Sequence, residues 1–219
     1  ADASLPLPPP LRFSGTRDVR VASNSSTAPP WYGREARGVF RRSRAGPRLN
    51  RLWVLRRFVE PGQASALIAG ASAAGGMLFN KDADSVDGDP TDEIPLLRDG
   101  RSLLGTKTQL APLLWQAQAV WDRVNAYIRE RLRCTRCTVC TSLLRRYGDS
   151  SSRSSIKLHF DEYALATAII SLDPRADFVG GLVVQPNIDT GSRRLAELEQ
   201  GDLLLHSYDL LHSVDVRGG

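Results

Sequence analysis

The chain contains three histidines, and all three fall between positions 159 and 212. His159 stands two residues before Asp161, at the end of Ile156-Lys-Leu-His-Phe-Asp161. Residues i and i+2 of a strand project from the same face, so this spacing places an imidazole beside a carboxylate. A further imidazole is available from His206 or His212, in Gly201-Asp-Leu-Leu-Leu-His206-Ser-Tyr-Asp-Leu-Leu-His212-Ser-Val214. Two imidazoles and one carboxylate hold a divalent transition metal on one side and leave positions open on the other. Fe(II) is the metal most often held this way.

By itself the pair is a weak signal. With three histidines in 219 residues and an ordinary aspartate content, a lone His-x-Asp arises by chance in about a quarter of such chains. Its surroundings sharpen it. An apolar, strand-like run follows at Leu165 to Leu172, then Phe178-Val-Gly-Gly-Leu-Val-Val184, then Gly201 to Leu205, then the last histidine before Val214. In these residues the chain resembles the 2-oxoglutarate/Fe(II)-dependent dioxygenases, particularly their prolyl 4-hydroxylase-like branch. There, His-x-Asp precedes a Thr-bearing apolar strand, a Gly-Gly turn, a Gly-Asp strand start and a distal His. The likeness is good from Arg145 to Gly219, looser back to Trp53 and absent before that.

The resemblance implies a mainly β fold with helices, a double-stranded β-helix (jelly roll) with its N-terminal helices packed outside. It implies His159, Asp161 and His212 as the metal ligands, because the family's distal His opens a strand just before Val. His206 ends the preceding strand and is expected to be a supporting or plain strand-terminal residue. The implied cofactors are Fe(II), 2-oxoglutarate as co-substrate and, in this branch, ascorbate, with O2 as the second co-substrate. Tyr147 resembles the family's strand tyrosine that helps hold 2-oxoglutarate. Thr167 and Ser171 share the parity of a co-substrate-facing strand position, although Ser171 stands where relatives often carry Tyr. The cation that would pair with the distal carboxylate of 2-oxoglutarate is expected at about position 221 or 222. Arg217 has the wrong strand parity to replace it. The implied reaction is hydroxylation of a peptidyl side chain such as proline, or of a small molecule. A non-catalytic jelly-roll binding module with a vestigial metal site is the alternative, and a jelly-roll metal site of another kind is a third.

The elements that must position these residues are legible to different degrees. Leu52 to Leu55, with Phe58 and Val59, reads as a short strand, and Glu60-Pro61 opens a helix through about Ala74, since Pro suits a first helical turn. Leu110, Leu113, Leu114, Ala117, Val120, Trp121, Val124 and Ile128 recur at three and four, the stripe of an amphipathic helix. Arg129, Arg131 and Arg133 at its end suit the helix dipole. Lys81 to Gly100 reads as an acidic loop. Its carboxylates do not follow the EF-hand order, because Gly88 and Glu93 are at positions seven and twelve from Asp82 where Gly is needed at six.

Cys134, Cys137 and Cys140 form Cys-x-x-Cys-x-x-Cys with no histidine nearby. A closed zinc site needs a fourth ligand, so ordinary cysteines at a helix–strand junction are expected, one left over if a disulfide forms.

Bulk properties bound the rest. Hydrophobic content of 42% and charged content of 24% are those of a globular protein. The net charge of +5 is uneven: residues 1–50 carry nine Arg against Asp2, Asp18 and Glu35. That Pro-, Ser- and Arg-rich stretch reads as a disordered extension, with the domain occupying 51–219. Aromatics do not interleave with its arginines as a single-strand nucleic-acid platform needs. Ala64 to Phe79 is short and small-residue-rich for a membrane span, and no signal-peptide h-region opens the chain. Without an initiator Met, and ending at Arg217-Gly-Gly within what reads as a strand, the sequence is expected to be part of a longer one, its last strand truncated.

Overall fold

Strand β2 (Arg51–Leu55) and strand β11 (Leu203–Ser207) are buried on both faces, and the architecture follows from that. They pair antiparallel, Leu55 opposite Leu203 and Leu52 opposite His206. Odd positions Trp53, Leu203 and Leu205 join one apolar cluster, and even positions Leu52, Val54 and Leu204 join another. A sheet carrying apolar side chains on both faces needs a layer on each side. This computed structural model describes residues 21–22, 51–73, 80–84, 86–103, 111–148, 151, 153–161, 164–185 and 193–217.

The outer layer is helical. Helix α1 (Pro61–Ala73) begins at the expected proline, with the Gln63 and Ala64 N–H groups donating to the Glu60 carbonyl. Helix α2 (Ala111–Leu132) buries Leu113, Ala117, Val120, Trp121, Val124 and Ile128. That is the stripe the sequence pattern specified, packed in one cluster with Trp53, Leu203 and Leu205. Trp121 also donates its indole N–H to Ser142 Oγ at 2.9 Å. Phe58 and Val59, expected to continue β2, instead follow it in a turn, both buried.

The inner layer is a second sheet. Strand β1 (Val21–Ala22), β2, β11 and β8 (Ala166–Ile170) form the first sheet in the order β1-β2-β11-β8. Strand β10 (Arg194–Leu195), β9 (Gly180–Gln185), β12 (Leu211–Val216) and β7 (Ser155–His159) form the second, in the order β10-β9-β12-β7. Leu182, Val184, Ala196, Leu198 and Leu210 meet Leu52, Val54 and Leu204 between them. This is the jelly-roll sandwich expected from the sequence.

The acidic stretch Lys81 to Gly100 is not the loop expected. Strand β3 (Asn80–Ala83) and the nine-residue β4 (Pro90–Arg98) occupy most of it, and β4 also pairs with β5 (Arg101–Ser102) and β6 (Ser142–Arg146). Its charges are tolerated in a sheet because β6 brings their counterions. Arg146 meets Asp92 at 2.8 Å, and Arg145 meets Glu93 at 2.6 Å and Asp84 at 2.8 Å. Arg153 clamps Asp87 at 2.7 Å. The side chains of Ile94 and Leu96 enter the helix-facing core.

Two of the three cysteines are joined, Cys134 to Cys137, and Cys140 is exposed with a free thiol. Of residues 1–50, Val21–Ala22 form β1 as an edge strand on β2, and the remainder of the expected disordered extension lies outside the described residues.

The junctions around β11 are tight. Gly201 accepts from the Val59 N–H at 2.9 Å and donates to the Ser171 carbonyl at 2.8 Å, at φ +82°. A Cβ there would come within 1.9 Å of the Val59 oxygen. Gly201→Ala should therefore lose at least about 2 kcal/mol of stability and lower the thermal midpoint by roughly 4–8 °C, as read by circular-dichroism melting. Among the described residues, a chain starting at Asn50 loses the two-residue β1 pairing alone. Its midpoint should fall by no more than about 5 °C, and a much larger drop would show that the first 50 residues are part of the core.

Candidate metal centre

Strand parity and register bring the polar side chains together between the two sheets. His206 shares the parity of Leu204, which lies in the inter-sheet core. It is flanked by Leu52 on β2 and Thr167 on β8. In the opposing sheet His212 pairs directly with His159 across β12 and β7, and an irregularity in register follows between His212 and Val214. Asp161 lies two residues past the end of β7.

The donor atoms of His159, Asp161 and His212 all lie within 4.8 Å of one another. Nε2 of His159 is 3.7 Å from Asp161 Oδ1, and Nε2 of His212 is 3.6 Å from Oδ2. The three residues expected as metal ligands thus converge. His206 lies beside this group, its Nε2 also 3.6 Å from Oδ2. The His212 ring lies between the other two, with centroids 4.3 Å from each.

Each ring is fixed through its other nitrogen. Nδ1 of His159 faces the Lys157 carbonyl at 2.7 Å, Nδ1 of His206 the Ser207 carbonyl at 3.0 Å, and Nδ1 of His212 the Leu210 carbonyl at 3.1 Å. A carbonyl oxygen only accepts, so in a neutral ring the proton sits on Nδ1 and Nε2 carries the lone pair. Three lone pairs then face a carboxylate at distances too long for hydrogen bonds. Without a cation between them such groups repel.

The set fits a metal ion. Backbone carbonyls holding the remote N–H are the usual support of metal-bound imidazoles. Donors each about 2.1 Å from a common ion stand about 3.0 Å apart at a right angle and about 3.4 Å at a tetrahedral angle, so 3.6–3.7 Å asks only a small inward closure.

The protonation states agree. Burial drives His206 below the ordinary imidazole value, and drives His212 down to about 3 with the charge of nearby His206 adding to it. Burial works against the charge of Asp161, but His212, His206 and a Thr167 hydrogen bond outweigh it and hold the carboxyl below its usual value. Near neutral pH His206 and His212 are neutral and Asp161 is a carboxylate.

Of the residues expected to face the co-substrate, Thr167 donates its hydroxyl to Asp161 Oδ2 and so orients that carboxylate. Ser171 lies one residue past β8 and its hydroxyl contacts the Asp173 carbonyl at 3.4 Å. The Tyr147 phenol is hydrogen-bonded to Arg145, and burial raises its pKa against the pull of that guanidinium. Arg217 pairs with Asp215 at 2.7 Å.

No protein-family model matches the chain, and no curated protein matches it significantly. Solved structures do. A Pseudomonas putida prolyl-4-hydroxylase superposes with a TM-score of 0.56 at 15% identity, covering 76% of this chain and 85% of that one. The non-haem α-ketoglutarate-dependent epimerase SnoN, from nogalamycin biosynthesis, gives 0.51 at 14% identity, covering 83% and 74%. At such identities the likeness is one of fold. The chain has the jelly-roll fold of 2-oxoglutarate-dependent oxygenases, and a His-Asp-His cluster lies within it.

The depressed imidazoles make stability depend on pH. An unfolded histidine takes up a proton below about 6.5, whereas His212 in the fold resists until about 3 and His206 is shifted the same way. Stability of the metal-free protein should therefore fall as pH drops from 6.5, by up to about 1.4 kcal/mol per pH unit for each group. Urea denaturation between pH 7 and 5 reads this slope, and His212→Asn should flatten it.

Proposed function

We propose that the chain is a non-haem Fe(II)- and 2-oxoglutarate-dependent dioxygenase that hydroxylates a peptidyl side chain, with proline the first to test. The observation that carries the reading is the convergence of His159, Asp161 and His212 within 4.8 Å, inside a jelly roll like those of the two neighbours. His159, Asp161 and His212 would hold the iron. Bound there, Fe(II) supplies the means to reduce O2, with 2-oxoglutarate decarboxylated to succinate as the source of two electrons.

The chain's own residues do the rest by position. Nδ1–carbonyl bonds hold the imidazoles in the tautomer that offers Nε2 inward. Thr167 ties up Asp161 Oδ2 and so restricts rotation of the carboxylate. Leu52, Val54, Val184 and Leu204, all almost fully buried, wall the inter-sheet space and keep water from it. In this reading Tyr147 contacts the co-substrate, its phenol positioned by Arg145.

Succinate release from the Fe(II)-loaded protein with ascorbate, O2 and 2-oxoglutarate tests the proposal. A Pro-containing peptide should stimulate release, and His159→Ala and His212→Ala should each weaken iron binding and abolish turnover. Iron binding by the wild type without any succinate would favour the non-catalytic module. Succinate release unmoved by peptides would leave the oxygenase and discard the peptidyl substrate.

A further inference from the structure

His206 plays no part in the triad, yet its geometry matches that of His212. Its Nε2 is the same 3.6 Å from Asp161 Oδ2. Its Nδ1 is committed to a backbone carbonyl in the same way, at 3.0 Å. The side chain is 0% exposed, and its Nε2 is buried with no hydrogen-bond partner. A supporting histidine would donate a hydrogen bond to Asp161. Here the ring proton is spent on Ser207, the separation exceeds a hydrogen bond, and the Thr167 hydroxyl already donates to that oxygen. A buried polar atom left without a partner is destabilising, unless a cation completes it.

We infer that His206 is a fourth protein ligand of the metal, so that the centre is three imidazoles and one carboxylate. The inference rests on the metal-binding part of the reading above and not on the turnover of 2-oxoglutarate. His206 reaches the cluster from the opposite sheet to His159 and His212, and the ion therefore ties the two halves of the sandwich together. With four protein donors, fewer positions would stay open to outside ligands than with three. The strand around His206 is paired on both sides, with Leu52 and Thr167, so the ring cannot leave by fraying of an edge.

The test counts imidazole nitrogens on bound Cu(II) by pulsed electron paramagnetic resonance, in the wild type and in His206→Ala and His206→Phe. Three are expected in the wild type and two in either variant. Fe(II) affinity measured by chelator competition should drop about ten- to hundredfold in the variants. Two nitrogens in the wild type overturn the inference even if both variants fail to fold, as does an unchanged count and affinity in a folded variant. A wild type that binds no metal overturns the inference together with the metal centre. A wild type with three coordinated imidazoles and no succinate production sustains the inference and discards only the oxygenase reading.

Discussion

Three backbone carbonyls decide what this protein can hold. They face Nδ1 of His159, His206 and His212, and in a neutral ring this leaves a bare Nε2 turned toward the Asp161 carboxylate. Lone pairs of neutral rings and an anion repel at these distances, and the Thr167 hydroxyl offsets this at only one carboxylate oxygen. The surrounding fold must hold the groups together. Strain of this kind is kept only where the structure around it is over-determined, and here two sheets and a helical layer provide that.

The rigidity comes from burial. β2 and β11 carry apolar side chains into two separate cores at once, so neither can shift by one residue without reversing every side chain. Asp202 locks their shared end. It is 1% exposed, pairs with Arg56, and accepts the N–H groups of Arg57 and Glu199, both at 2.9 Å. His206 lies four residues further along β11 and inherits that fixed position.

Much of the site could be read from the sequence, because it depends on local spacing. His159 and Asp161 are an i, i+2 pair, and His212 opens a strand before a Val. His206 was read as a supporting or strand-terminal residue, and it lies one residue before the end of β11 with its Nε2 3.6 Å from Asp161. Its parity with Leu204 was the available signal: on a strand buried on both faces, the residue two beyond an inner leucine also points inward. The sheet formed by β3, β4 and β6 was not legible, for a different reason. Asp92 and Glu93 look like loop residues until Arg145 and Arg146 arrive from some fifty positions away, and no local window contains that pairing. Parity alone read Thr167 as facing inward, and it could not show the hydroxyl bond to Asp161 Oδ2 that the structure adds.

The order of strands in the first sheet bears on how the chain reaches this state. β11 fills the slot between β2 and β8, which lie far apart in sequence and do not pair with each other there. As the chain emerges, both strands must wait with open edges until residues 203–207 are made. Sheets closed by distant segments fold slowly, and waiting edges invite pairing with other chains. The strand that completes this sheet is also the one that carries His206, so the pairing of distant segments and the placing of that imidazole depend on the same insertion.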